Sequence, residues 1–111
     1  MPADQLDRTF AALADPIRRA MLSRLAEGDA TVRDLAAPHD VSLPAISRHL
    51  KVLQRAGLIE RRKDAQWRPS RFAPEPLLTA RTWLDERAQT WERRMDRLDA
   101  HLTNMSKERA R

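Results

Sequence analysis

Ser47, Arg48 and Lys51 stand at the three- and four-residue spacing that stacks side chains on one face of a helix, and Ser42, Pro44 and Ala45 precede them on that face. Hydroxyls, a guanidinium and an ammonium in such an array do no covalent chemistry. They donate hydrogen bonds and carry positive charge, which suits them to hold phosphate and read base edges. Arg48 has the planar fork that matches the two acceptors of guanine, whereas Lys51 is a point charge suited to phosphate. Ser42 and Ser47 can bond either target. His49, inside the same run, is read two ways: as a further contact, or as a histidine that packs or caps. Downstream, Arg61, Arg62, Lys63 and Arg68 would follow a phosphate backbone or enter a minor groove.

Other chemistries find little support. The chain has no cysteine, which removes disulfides, thiolate metal sites and thiol nucleophiles. Ser, His and Asp occur together only at His39-Asp40-Val41-Ser42, and adjacency in sequence is not the geometry of a catalytic triad. Two glycines in 111 residues leave no loop able to cradle a nucleotide phosphate. Neither an enzyme nor a cofactor is expected. No apolar run approaches the ~20 residues that span a bilayer. The segment Met1 to Phe10 carries Asp4 and Asp7 and lacks the basic-then-apolar order of a signal peptide, so a cytoplasmic location is expected.

The net charge of +5 is unevenly placed. Residues 41–71 hold eight basic and two acidic side chains, a net of +6, while the rest of the chain holds thirteen basic and fourteen acidic ones, a net of −1. A positive patch confined to one segment attracts a polyanion, and nucleic acid is the common one. A solvated basic face with no ligand would share this composition, so the argument must come from the elements that position it.

The spacing predicts a mainly helical chain. A first helix runs over about Gln5 to Ala14, with Leu6, Phe10 and Leu13 on one side. Asp15-Pro16 restarts a second helix, with Asp as cap and Pro where no donor is needed. Its inner side carries Ile17, Ala20, Met21, Leu22 and Leu25, and Gly28 reads as a left-handed stop. Thr31-Val-Arg-Asp34 is a capping box that opens a short third helix, which buries Val32, Leu35 and Ala36. Pro38-His39-Asp40 turns the chain, with Val41 tucked beneath. A fourth helix over about 42–56 starts at Ser42 and buries a stripe of Leu43, Ile46, Leu50 and Leu53. Gly57 ends it, with Leu58 as the following apolar contact. Two helices joined by a tight turn, the second amphipathic and basic outside, form a helix-turn-helix.

Beyond Gly57 the period changes. Leu58 to Arg62 and Trp67 to Phe72 read as two strands of a basic hairpin over about 58–73, with Trp67 packing and Pro69 limiting the second strand. A last helix covers about 75–105. Leu77, Leu84, Trp91, Leu98 and Met105 recur every seven residues in it, with Ala88, Met95 and Leu102 between them, as in a coiled-coil seam. A helix of about 30 residues is about 45 Å long, more than one small core covers, so a second copy is expected to cover the rest. The segment from Ser106 to Arg111 is expected to fray. Residues 1–111 are read as one domain.

Two segments resemble a known family. Ala11-Leu-Ala-Asp-Pro-Ile-Arg-Arg-Ala-Met-Leu22 is similar to the second-helix signature of ArsR/SmtB-type bacterial repressors. The run from Ser42 to Glu60 is similar to their recognition helix and first wing strand, and the resemblance covers about residues 6–103. It implies a winged helix-turn-helix of order ααααββα and a homodimer built from the first and last helices. Leu6, Phe10, Leu77, Leu84, Ala88, Trp91, Met95, Leu98 and Leu102 would lie in that interface. It further implies repression at an operator, autorepression included, and release by an effector. A two-fold dimer would set two recognition helices about 34 Å apart over a palindrome. Founding members sense metals through cysteines of the third helix, absent from Thr31 to Ala37 here. Asp99-Ala-His101 matches half of a second family metal site whose later histidine is missing, so no metal is expected. The Pro69-Ser70 pair departs from the family's more regular second strand. A non-specific architectural DNA binder and a protein-interaction adaptor reusing the fold are the competing readings. The first predicts weak sequence preference, the second indifference to the loss of Arg48 and Lys51.

Overall fold

The computed structural model describes residues 3–61 and 69–110. Its elements are α1 (Ala3–Leu13), α2 (Pro16–Glu27), α3 (Val32–Ala36), α4 (Leu43–Arg55), β1 (Ile59–Glu60), β2 (Arg71–Phe72) and α5 (Glu75–Arg109). This is the expected order, a mainly helical winged helix-turn-helix with one small antiparallel hairpin. The chain divides into two units, residues 1–80 and 81–111.

In the first unit, local sequence sets the helix ends. Asp15 caps α2 by accepting the Arg18 amide at 3.0 Å, and Pro16 follows as the first helical residue. The capping box of α3 is complete. The Asp34 amide donates to the Thr31 hydroxyl at 3.2 Å, and the Thr31 amide donates to the Asp34 carboxylate at 3.0 Å. Ser42 caps α4 by accepting the Ala45 amide at 3.2 Å. That helix closes in a Schellman motif: the Leu58 amide donates to the Leu53 carbonyl and the Gly57 amide to the Gln54 carbonyl. Gly57 has φ 74, the left-handed geometry this motif requires. Gly28 differs from expectation. Its φ of 156 and ψ of 160 lie in a positive-φ region essentially confined to glycine, outside the compact left-handed one, and its amide still bonds the Leu25 carbonyl.

The core joins Met21, Leu22 and Leu25 of α2, Leu35 of α3, Ile46, Leu50 and Leu53 of α4, and Leu58 and Ile59 leading into β1. Each such side chain, once fully buried, contributes about 1.5–3 kcal/mol. Three residues expected inside lie outside. Ala20 is exposed on α2, Val41 is 38% exposed and Leu43 48% exposed. The chain enters α4 from the solvent side, so its first apolar residue is not yet rotated onto the stripe that Ile46 opens.

The hairpin pairs Ile59 with Phe72 on the inner face and Glu60 with Arg71 on the outer face. A bridge absent from the sequence reading joins Ala30 to Ser70, with the Ser70 amide donating at 2.8 Å and the Ala30 amide at 3.2 Å. Ser70 therefore pairs the segment before α3 to the second strand. Pro69, which cannot donate, sits just outside that pairing. Trp67, expected to pack under the hairpin, lies outside the described residues. The first turns of α5 belong to this unit: Pro76 and Ala80 are buried, and Leu77 packs against the core. Leu77 thus serves its own unit, and the exposed apolar stripe begins at Leu84.

In the second unit α5 continues to Arg109, with the Ala110 amide still bonded to the Ser106 carbonyl, so the expected fraying from Ser106 is not observed. Local contacts support it. Arg81 lies 3.7 Å from Asp85 one turn on, the Thr90 hydroxyl donates to the Glu86 carbonyl, and the Arg87 guanidinium sits over the Trp83 ring. Every described residue of this unit is exposed, including Leu84, Ala88, Trp91, Met95, Leu98 and Leu102.

Gly57→Ala tests the helix stop. A Cβ there would meet the Pro76 Cγ at an ordinary 3.5 Å, so the cost is in the backbone. Urea unfolding should show a loss of about 1–2 kcal/mol.

Candidate nucleic-acid interface

Burial decides which face of α4 is available. Ile46, Leu50 and Leu53 are fully buried, so the opposite side must face water. On that side Pro44, Arg48, Lys51 and Arg55 are exposed; of the other candidates Ser42 is exposed, and Ala45, Ser47 and His49 are half-buried. Pro44, Arg48, Lys51 and Arg55 recur at spacings of three and four, one stripe about 16 Å long. No acidic residue interrupts it. Ser42 spends one lone pair on its cap and keeps its O–H as a donor.

Two further residues of α4 are exposed beside those candidates. Arg55 lies one turn beyond Lys51 on the same stripe, and the spacing alone could have found it. Leu43, expected in the core, is exposed at the first position of α4. The N-terminal residues of a recognition helix sit nearest the base edges, where an apolar side chain meets a thymine methyl.

The base of the hairpin is close to neutral. Glu60 faces Arg71 across the ladder, and Asp29 lines the same shallow cleft as these two and Pro69. Arg61 is half-buried. Arg62, Lys63 and Arg68, assigned to the backbone and minor groove, lie outside the described residues. Among the described residues of the basic segment, unopposed positive charge is therefore concentrated on α4.

Two polar clasps hold α4 in place. Gln5 of α1 donates its amide to the Ala56 carbonyl at 2.9 Å, satisfying a carbonyl at the end of α4. Arg18 of α2 makes three bonds: to the Ala12 carbonyl at 2.8 Å, the Ala11 carbonyl at 3.0 Å, and the His49 Nδ1 at 3.2 Å. One guanidinium thus ties the end of α1, the start of α2 and the middle of α4. For Nδ1 to accept, the His49 ring is neutral with its proton on Nε2. The nearest Asp15 oxygen, 3.9 Å from the same nitrogen, is too far for a hydrogen bond. His49 is half-buried and engaged with Arg18 in this geometry. Nothing in a linear reading joins Arg18 to a residue 31 positions away.

Asp15 sits at this junction. The Arg18 amide holds its carboxyl below the usual carboxylate value, the partial desolvation opposes that, and the nearby Arg18 guanidinium lowers it further, as His49 would only if protonated. Asp34 is lowered likewise by the Thr31 amide and hydroxyl.

Asp99 and His101 stand exposed on α5. Among the described residues no three His, Asp or Glu side chains converge as a metal site would need, and no helix is long and apolar enough to cross a membrane.

Over residues 15–61 the chain matches the model of the bacterial regulatory proteins of the arsR family. It is 46% identical over 79 residues to the HTH-type transcriptional regulator Rv2034 of Mycobacterium tuberculosis, an alignment covering 71% of this chain and 74% of that protein. Its fold is similar to the ArsR family transcriptional regulator RHA00566, at 40% identity and a TM-score of 0.78 over 83% of this chain and 95% of that one. It is also similar to the homodimeric winged helix-turn-helix DNA-binding domain of Mb0332 from Mycobacterium bovis. There the identity is 30% and the TM-score 0.59, over 81% of this chain and 82% of that one.

Two outcomes follow from the junction. Arg18→Ala removes three charged hydrogen bonds and should lower the unfolding free energy by about 2–4 kcal/mol in urea titrations, with His49→Ala costing less. A lowered carboxylate stabilises the fold above its unfolded pKa of about 3.9, and that stability is lost as pH falls through the folded value. Asp15→Asn keeps the cap but removes the titration. Its melting temperature should therefore fall less than the parent's between pH 6 and pH 3.

Proposed function

The chain belongs to the bacterial ArsR family of DNA-binding transcriptional regulators, and from that premise we propose that it represses transcription as a homodimer seated on a palindromic operator. The observation that carries this is the exposed cationic stripe of α4 set directly opposite three fully buried apolar residues. A major groove is wide enough to admit such a helix.

The roles follow from chemistry. Arg48 takes guanine through its fork, and Leu43 meets a thymine methyl beside it. Ser47 donates to a base edge or a phosphate, while Ser42, Lys51 and Arg55 hold phosphates on either side. Pro44 and Ala45, with no long side chain, let the helix start approach the groove floor. His49 acts indirectly, by fixing the rotation of α4 about its axis. Arg61, Arg62, Lys63 and Arg68 are assigned to the phosphate backbone or a minor groove. Residues 1–111 act as one domain.

Dimerisation uses the exposed apolar stripe of α5 together with Leu6 and Phe10 of α1. The likeness to a homodimeric DNA-binding domain of the same fold supports this reading. Two copies related by a two-fold axis require two inverted half-sites. Repression follows from occupancy, because a dimer covering its operator excludes other proteins from that DNA. A regulator whose own promoter carries the operator limits its own level, and we assign it that role. An effector would release it by binding the DNA-free conformation more tightly. The protein acts by binding, not catalysis.

The test is operator selection from random duplexes, followed by anisotropy titrations across salt. A preference of about 10³-fold or more over random DNA is expected. Arg48→Ala should cost about 1–3 kcal/mol on the selected site and relax one base position. Lys51→Ala should weaken all sequences alike and reduce the salt slope by about one. A properly folded protein with no sequence preference would leave only general DNA coating, and one indifferent to both substitutions would not use α4 at all.

A further inference from the structure

Arginine supplies most of this chain's positive charge. Of 21 basic residues 18 are arginines, and the three lysines are Lys51, Lys63 and Lys107. A guanidinium keeps its proton and is a poor nucleophile, whereas a lysine amine, once deprotonated, can be acylated. Lys63 lies outside the described residues. Lys51 stands in the middle of the exposed α4 stripe, with Arg48 three residues before it and Arg55 four after. At such spacings the side chains start about 5–6 Å apart. No acidic residue lies on α4, and among the described residues no hydrogen bond or ion pair engages the Lys51 ammonium. Lys107 is the contrast. It is exposed too, but its neighbours mix signs: Glu108 is beside it, Arg109 two residues on and Asn104 one turn back.

We propose that Lys51 is an acylation site for small acyl phosphates, and that its acylation keeps the protein off DNA. The site stands on the geometry of α4; the effect on DNA rests on the reading of α4 as the DNA-binding helix. An acyl phosphate joins a reactive acyl carbon to a dianionic phosphoryl group. Arg48 and Arg55 draw the phosphoryl end between them, as they would a DNA phosphate, and so bring the acyl carbon to the amine that separates them. The Lys51 ammonium first gives one proton to water. The amine lone pair then attacks the acyl carbon, the N–C bond forms and the acyl C–O bond breaks. Inorganic phosphate leaves with that electron pair and takes the second amine proton. A neutral amide stands where a cation stood.

The product loses the phosphate contact assigned to Lys51. One such contact is worth about fivefold in affinity at about 0.15 M salt, and Arg48 and Arg55 stay charged. Lys51 is thus the single charge of this stripe that an acyl donor can remove. Bound DNA covers the same face and shields the amine. Acylation is therefore a reaction of the DNA-free protein, and it traps the released state instead of driving release.

The probe is acetyl phosphate added to the full chain, with acetylation at Lys51 and Lys107 followed by peptide mass spectrometry. Two cations about 6 Å from a dianion raise its local concentration roughly tenfold at low ionic strength, so Lys51 should react about tenfold faster than Lys107. The ratio should fall towards one at about 1 M salt. It should fall likewise at low salt when Arg48→Gln and Arg55→Gln are combined, and a neutral acetyl thioester should show no preference. Equal rates at low salt overturn the site, as does a preference that survives the double substitution or appears equally with the neutral donor. Excess operator DNA should protect Lys51 and leave Lys107 reactive; no protection overturns the link to DNA. The acetylated parent should bind DNA about fivefold more weakly per modified copy, while Lys51→Arg treated alike should keep its affinity. Equal loss in both proteins, or none in the parent, overturns the effect on DNA. An untreated protein that binds no DNA sinks the DNA reading and leaves the acylation ratio standing.

Discussion

Everything the first unit offers to a ligand follows from how α4 is buried. Three apolar side chains, Ile46, Leu50 and Leu53, are withdrawn fully from water against α2 and α3. Their spacing fixes the rotation of the helix, and with it the direction of every other side chain on it. Arg48, Lys51 and Arg55 face solvent because the opposite face cannot. A one-residue slip would turn the helix by about 100° and exchange charge for hydrocarbon at the core, a cost no surface contact could offset. The apolar stripe is therefore as much a part of the proposed DNA interface as the arginines are.

Apolar burial tolerates small sliding and rolling, whereas reading a base edge does not. The Gln5 and Arg18 clasps supply what packing leaves loose. One anchors the end of α4 through the Ala56 carbonyl, the other its middle through His49. Both originate at α1 or at its junction with α2. The proposed dimer also uses α1, so the same helix that would meet the second copy carries the references for the recognition helix. Displacing α1 would be felt at the DNA-facing stripe through hydrogen bonds of defined length. That gives release of DNA a physical route without requiring the recognition helix itself to bind anything.

Much of this was legible in the sequence, for reasons that differ by element. Asp15-Pro16, the Thr31–Asp34 box and Gly57 act within four residues of themselves, so their chemistry is complete in the local string. Ile46, Leu50 and Leu53 announce a face by period. What was not legible depends on pairs distant in the chain. Arg18 meets His49, Gln5 meets Ala56 and Ala30 bridges Ser70, and no period or motif encodes those partners. Leu43 was misplaced because periodicity extends a stripe to every matching residue. A helix entering from solvent leaves its first turn uncovered, and Leu43 stays 48% exposed. In the last helix, sequence gave Leu77 and Leu84 the same role. The core claims the first, and only the second begins the exposed seam.

The small size of the stripe explains why one copy would not suffice. About 16 Å along a duplex covers roughly five base pairs. A word of that length recurs about once per thousand base pairs of random sequence, far too often when a genome offers about 10⁶ or more competing sites. A second identical stripe, held at a fixed offset, squares the odds to about one in a million without a single new kind of contact. The gain depends on rigid geometry, because a loosely tethered second helix would accept many spacings and return most of the discrimination. If the long helix supplies that fixed offset, it is no accessory to DNA recognition. In the proposed dimer it converts two weak readings of five base pairs into one reading of ten.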